Sequence, residues 1–300
     1  MRWLGASDVS DGERSRKVCR PGHPFFAGAP LLMAHRGGSK LAPENTIDAF
    51  RHAVHDWGAD VLEMDVRLTS DGQVVVIHDP TLDRTTNGSG AVSSTSWAEV
   101  RDLDAGHHFV DLLGQKSHRG RGVRVPLFSE VLETFPNTRV NVESKVAEAA
   151  GPLIRVIADF EAERRVLVAA EFESTRNDAR GYTGPWGAAR SHVAPFWITH
   201  RIPGASHWYV PKVDAFQVPE VSGPLRIVTP RFIEAAHRLN IPVHVWTIDD
   251  AADMKRLLDW GVDGIQSDRP DVLADVLSEV YGHPMVVTRI GQRTVVLPGD

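Results

Sequence analysis

Cysteine is nearly missing from this sequence: Cys19 is the only one among 300 residues. A single thiol excludes an intramolecular disulfide framework and a zinc centre built from several cysteines. Also missing is any apolar run near the roughly 18 residues that mark a membrane span. The opening stretch, MRWLGASDVSDGERSRKVCRPGHPFF, lacks the hydrophobic core of a secretory signal, so the expected location is cytoplasmic. Long basic runs are absent and the net charge is −6, which argues against nucleic acid as a partner. No glycine-rich dinucleotide fingerprint follows the first apolar run, which disfavours a doubly wound nucleotide-binding sheet. What is present, 42% hydrophobic and 24% charged residues, suits a globular chain with a sizeable core.

From residue 31 onward, short apolar runs alternate with segments of helical periodicity. LLMAHR is followed by NTIDAFRHAVHDWG, where Ile47, Phe50, Ala53, Val54 and Trp57 recur at helical spacing. Asn45 is the expected N-cap of that helix and Gly58 its stop. VLEMDVRLT and QVVVIHD read as strands joined by an SDG turn. After residue 125 the alternation resumes with PLFSEVLETF, RVNVESK, AAGPLIRVIADFEA, RVLVAAEF, DAFQVPEV, TPRFIEAAHRLN, PVHVWTID, DAADMKRLLDWG, DGIQSD and PDVLADVLSEVYG. Repeated βα units over about 250 residues predict an α/β fold with a parallel sheet, closed as a (β/α)8 TIM barrel. The barrel is expected over residues 31–282. Residues 1–30 form an extension and 283–300 a tail with a short hairpin. Residues 80–125, polar and weakly periodic, form an insertion after the second strand region. Residues 174–212 are aromatic-rich and give no clear pattern.

Side chains two apart on a strand share a face. In VLEMDVRLT the apolar set Leu62, Met64, Val66 and Leu68 suits the helix-facing side. Glu63, Asp65 and Arg67 then point into the lumen. In RVNVESK the same alternation sends Asn141, Glu143 and Lys145 inward. Buried like charges are costly without compensation, and a divalent cation is the simplest compensator because hard cations take carboxylate oxygens. A salt-bridge network with Arg67 and Lys145 is the alternative. His35 and His78 each end an apolar strand, close enough to these carboxylates in the fold to act as an acid/base pair. His244 shares a face with Trp246, which suits either the lumen or ordinary packing. His107, His108, His118, His192, His200 and His207 read as surface residues.

These pieces resemble the glycerophosphodiester phosphodiesterases: AHRGGSKLAPENTIDAF, GADVLEMDVRLTSDGQVVVIHDPTLDRTTNGSG, VNVESK, VHVWTID and GVDGIQSDRPD run in that family's order from about residue 32 to 272. The resemblance implies a (β/α)8 barrel with a small insertion after the HD motif. It implies Glu63, Asp65 and Glu143 as ligands of Ca²⁺ or Mg²⁺, with Glu44 close to metal and substrate. His35 and His78 would be the acid/base pair, Arg36 and Lys145 the phosphate binders, and Trp246 a wall of the substrate pocket. Two departures are Ser144, where an aliphatic residue is usual, and Ser267, where threonine is common.

The expected reaction is metal-dependent hydrolysis of a small-molecule glycerophosphodiester to sn-glycerol 3-phosphate and an alcohol. A rival on the same scaffold is a lysophospholipase D activity, with Phe196, Trp197, Trp208 and Tyr209 lining an acyl groove. A rival of another class is a barrel that binds metal and phosphate without catalysis.

Overall fold

A computed structural model describes residues 23–282, apart from 180, 203, 204, 206–208 and 211. The expected tail hairpin and residues 1–22 lie outside the described residues, as do Trp208 and His207.

Seven strands form the parallel wall of a barrel: β1 (Leu31–Ala34), β2 (Val61–Leu68), β4 (Arg139–Ser144), β5 (Val166–Ala169), β6 (Phe216–Pro219), β9 (Val243–Trp246) and β10 (Gly264–Ser267). Their order around the sheet is β5-β4-β2-β1-β10-β9-β6. The strand β3 (Val74–Val76) returns antiparallel to β2, with Val66 opposite Val76, and so stands outside the parallel count. QVVVIHD therefore belongs to a hairpin arm, and the eighth position comes from residues 185–188 in the region without a clear sequence pattern. There Val168 pairs with Trp186 and Gly187 with Ala215, both in parallel. Gly187 N donates to Val168 O at 3.0 Å on one side and Ala188 N to Ala215 O at 2.9 Å on the other. These bonds satisfy both flanking strand edges and close the barrel.

The helices α1 (Ile47–Trp57), α3 (Phe128–Thr134), α4 (Ala147–Asp159), α5 (Arg190–Thr199), α6 (Pro230–Arg238), α7 (Ala251–Asp259) and α8 (Pro270–Tyr281) follow the parallel strands, and α2 (Trp97–Val100) lies in the insertion. A short antiparallel hairpin, β7 (Val221–Ser222) with β8 (Leu225–Arg226), follows β6. The main core lies between helices and outer strand faces, where Leu62, Met64 and Val66 of β2 join Phe50, Phe128, Phe196 and Phe232. Each such side chain stabilises the fold by roughly 1.5–3 kcal/mol. The insertion has its own small core, with Leu82, Val92, Val100, Ala105, Val123 and Val125 packed on Val75 and Ile77 of the β3 arm.

The barrel floor is a third cluster: Phe25, Leu31, Met33, Val61, Leu167 and Ala215. Residues 24–26 form one turn of 3-10 helix that brings Phe25 fully inside. Arg139 of β4 fastens this turn by donating to the Phe25 and Ala27 carbonyls while it pairs with Asp60.

Thr46, not Asn45, caps α1: its Oγ1 accepts from Ala49 N at 3.2 Å. Asn45 is held elsewhere, at φ 58°, with its amide donating to Asp65 Oδ2 at 3.0 Å. Gly58 closes the helix in the left-handed conformation, as the sequence predicts. The helix α5 escapes sequence reading because Pro195 interrupts its pattern.

Candidate active site

The first strand ends in a turn that the two glycines make possible. His35–Gly37 form a single 3-10 turn, with Arg36 at φ 51°, Gly37 at 82° and Gly38 at 92°. A Cβ on Gly37 would stand 2.8 Å from the Ala49 Cβ, and one on Gly38 2.8 Å from the Pro270 ring. Only glycine fits both the conformation and the space. The turn aims the Arg36 backbone N at Glu63 Oε2, 2.9 Å away. The guanidinium reaches Glu44 Oε1 at 3.0 Å and Asp65 Oδ2 at 3.2 Å.

Strand alternation delivers Glu63 and Asp65 from β2 and Glu143 from β4, with Asp65 directly opposite Glu143 in the register. Each offers an oxygen, and these oxygens all lie within 4.8 Å of one another. Glu63 and Asp65 are buried. Lys145 Nζ sits 2.9 Å from both Asp65 Oδ1 and Glu143 Oε2. Burial and the neighbouring Asp65 carboxylate push Glu63 up to about 7. Burial would also raise Asp65, but Lys145 and Arg36 overcome it and hold its carboxyl below the usual range. Burial would lower Lys145, but Asp65 and Glu143 raise it. Three converging hard oxygens fit a divalent cation of the Ca²⁺ or Mg²⁺ kind. Lys145 meets the carboxylates as a salt-bridge reading expects, whereas Arg67 turns away and donates to the His78 carbonyl at 2.7 Å.

Both strand-end histidines are tied at Nδ1. His35 Nδ1 lies 2.6 Å from Asp268 Oδ1, leaving Nε2 3.9 Å from Glu63 Oε2. Burial would lower His35, but the Glu63 carboxylate and the Asp268 hydrogen bond lift it to about 8. Asp268 is itself braced: its backbone N donates to Asp249 Oδ1 at 2.8 Å, and Ser267 Oγ to the same oxygen at 2.9 Å. His78 Nδ1 lies 2.7 Å from Asp79 Oδ1. Arg84, at the start of the insertion, grips Asp79 through Nε at 2.6 Å and Glu44 through both terminal nitrogens, at 2.7 and 2.8 Å. Burial would raise Glu44, yet Arg84 and Arg36 keep it below its ordinary value.

Of the residues singled out in the sequence, His35, Arg36, Glu44, Glu63, Asp65, His78, Glu143 and Lys145 gather at one end of the lumen. Trp246 stands at the end of β9, 40% exposed. His244 lies deeper and fully buried, its ring 6.0 Å from Phe26. Of the four aromatics expected to line an acyl groove, Phe196 is instead buried among Phe216 and Phe232, and Tyr209 packs edge-on against it. Sequence reading missed Asn45, Asp79, Arg84, Asp249 and Asp268. Asp268 carried a usable signal, since it shares the inward face of its strand with Gly264 and Gln266. The Ser144 hydroxyl donates to Val146 O at 2.9 Å, away from the acidic cluster.

The profile described as the Glycerophosphoryl diester phosphodiesterase family matches residues 35–179 and 192–272. The chain belongs to this family. It is 34% identical over 256 residues to a probable glycerophosphodiester phosphodiesterase 2 of Mycobacterium tuberculosis, covering 83% of this chain and 91% of that protein. It is 33% identical over 259 residues to a glycerophosphodiester phosphodiesterase of Caldanaerobacter subterraneus subsp. tengcongensis, covering 82% and 97%. The crystal structure of a glycerophosphodiester phosphodiesterase from Agrobacterium tumefaciens superposes with a TM-score of 0.65 at 28% identity, covering 81% of this chain and 98% of that one. The chain is a glycerophosphodiester phosphodiesterase, a phosphoric diester hydrolase on a TIM barrel. No helix among the described residues is long and apolar enough to cross a membrane.

Proposed function

We propose that the enzyme releases sn-glycerol 3-phosphate and an alcohol from small glycerophosphodiesters, with a divalent cation held by Glu63, Asp65 and Glu143. The carrying observation is the meeting, at one barrel mouth, of three carboxylate oxygens within 4.8 Å of one another and two histidines whose Nδ1 atoms are tied to Asp268 and Asp79. The cation, Ca²⁺ or Mg²⁺, would supply Lewis-acid polarisation of the phosphoryl oxygens.

The chain's own groups do the rest. Arg36 and Lys145 hold the non-bridging oxygens and offset the charge that builds on them. Asp268, at 2.6 Å from Nδ1, fixes the His35 ring so that Nε2 is the proton-handling atom. His35 takes the proton from the nucleophile, which is water or the glycerol 2-hydroxyl. The nucleophile's oxygen bonds to phosphorus as the bond to the leaving oxygen breaks, and His78 protonates that leaving alkoxide. Attack by the 2-hydroxyl gives a cyclic ester, which water then opens. Glu44 and Arg84 keep Arg36 and Asp79 in place, and Trp246 forms part of the pocket wall. In this reading residues 31–282 are the catalytic barrel and 80–125 its insertion.

Phosphorus NMR of reactions on glycerophosphocholine, glycerophosphoethanolamine and lysophosphatidylcholine tests the substrate class. Glycerol 3-phosphate from the two deacylated diesters, with little turnover of the lysolipid, supports the reading. Faster turnover of the lysolipid overturns it in favour of a lysophospholipase D activity.

A further inference from the structure

The insertion ends in a tip whose composition runs against the rest of the molecule. From Ala105 to Arg124 the chain carries Lys116, Arg119, Arg121 and Arg124 against one carboxylate, Asp111, in a protein of net charge −6. Asp111 is used within the tip, where Oδ1 accepts from the backbone N of Leu113 and of Gln115, each at 2.9 Å. Arg119 and Arg124 give donors to the carbonyls of His107 and Asp102. Among the described residues the ion pairs of segment 100–125 are His107 with Asp104 and Arg101 with Asp102. None of the four cations takes part in one.

Among the described residues the tip also holds the two most exposed large apolar side chains. Leu113 is 82% exposed, Leu112 60% and Val110 50%. It is not a loose loop. The Asp111 N bonds Gln115 O at 2.9 Å, Phe109 meets the His118 ring edge-on at 5.1 Å, and Gly120 N donates to Asp104 Oδ2 at 2.8 Å. A fixed turn thus holds three aliphatic side chains in water on a segment that carries four cations outside ion pairs among the described residues. An apolar wedge on a segment rich in Lys and Arg matches the two attractions of an anionic membrane surface, apolar burial at the acyl boundary and charge attraction to the head groups. An uncharged protein groove would satisfy the wedge but gives no reason for the excess of one charge sign.

We propose that the tip of the insertion, Val110 to Arg124, docks this enzyme on an anionic lipid bilayer. The insertion leaves the barrel just after His78 and rejoins it where Val76 N donates to Pro126 O at 2.9 Å. Docking there attaches the bilayer through the mouth end of the barrel. This inference stands independently of the substrate reading above.

Sedimentation of the full chain with vesicles tests it. Vesicles of phosphatidylcholine alone are compared with an equal mixture of phosphatidylcholine and phosphatidylglycerol at low ionic strength. The protein is expected on the mixed vesicles only, and added salt should release it. Leu112→Ser with Leu113→Ser should weaken binding at least about ten-fold. Lys116→Gln and Arg121→Gln should weaken it by roughly five-fold each. Both sets should leave turnover of soluble glycerophosphocholine unchanged. Failure of the unaltered protein to bind, or equal binding by the double leucine variant, overturns the proposal. So does a change in sedimenting mass on substituting the leucines without a change in vesicle binding, which would assign the tip to contact between copies of the chain.

Discussion

The two walls of the barrel lumen are built on opposite plans. The wall of β10, β1, β2 and β4 carries Asp268, His35, Arg36, Glu63, Asp65, Glu143 and Lys145. The facing wall of β5, residues 185–188 and β6 carries Ala169, Gly187, Ala215 and Gln217. At Gly187 a Cβ would stand 2.6 Å from Gln217 Oε1 and 3.2 Å from Ala169 Cβ. Charged groups can be buried only where they compensate each other at close range, so they collect on adjacent strands. The facing wall is uncharged at these four positions and closely packed, with Ala215 part of the buried floor. Charge sits on one wall and small, closely packed residues on the other.

Breaking the charged wall should have the largest effects. Glu63→Gln or Asp65→Asn should lower kcat/KM by at least about 10³-fold through weakened cation binding, checked by calorimetric titration of Ca²⁺ and Mg²⁺ beside the kinetics. Alanine at His35 or His78 should cost about 10²–10⁴-fold in kcat with a smaller change in KM. A variant with near-full turnover removes that histidine from the mechanism. Asp268→Asn, which leaves the His35 ring in place but loosens its orientation, should cost roughly 10–100-fold. Equal activity would mean that the 2.6 Å contact with Asp268 is not needed to hold the ring.

The floor beneath both walls makes a pH prediction. Burial pushes His244 down from 6.5 to about 4, so the unfolded chain binds a proton there before the folded chain does. Stability is therefore fully present above about pH 6.5 and falls as the pH drops toward 4, by about 3 kcal/mol at most. Chemical denaturation of the wild type and His244→Gln across this window should show a flatter profile for the variant. Parallel profiles would remove His244 as the cause. The smallest effect belongs to the uncharged wall: Gly187→Ala crowds Gln217 and should raise KM by up to about ten-fold, more for bulky head groups. Unchanged KM across head groups would place the substrate away from this wall.

The same contrast explains what could be read from sequence. The charged wall lies on strands long enough to alternate visibly, so the inward face of Glu63, Asp65, Glu143 and Lys145 is legible from residue order alone. The uncharged wall is completed by residues 185–188, in which Pro185 and Gly187 flank Trp186 and no alternation develops. Only the edges of β5 and β6 make this stretch a strand. Asn45 has the character of a helix cap, but a buried carboxylate competes for its amide and Thr46 takes the cap. Asp268 lies 233 residues from His35 in the chain, and only barrel closure, with β10 beside β1, makes them neighbours. Local pattern shows which way a side chain faces. It does not show what faces it.

The decisive measurement is glycerol 3-phosphate release from glycerophosphocholine by the wild type and by His35→Ala, each with Ca²⁺, with Mg²⁺ and with chelator. Catalysis by a cation and a histidine pair predicts release by the wild type with a divalent cation, loss with chelator, and loss in the variant under every condition. Undiminished release in chelator, or from folded His35→Ala, would contradict it.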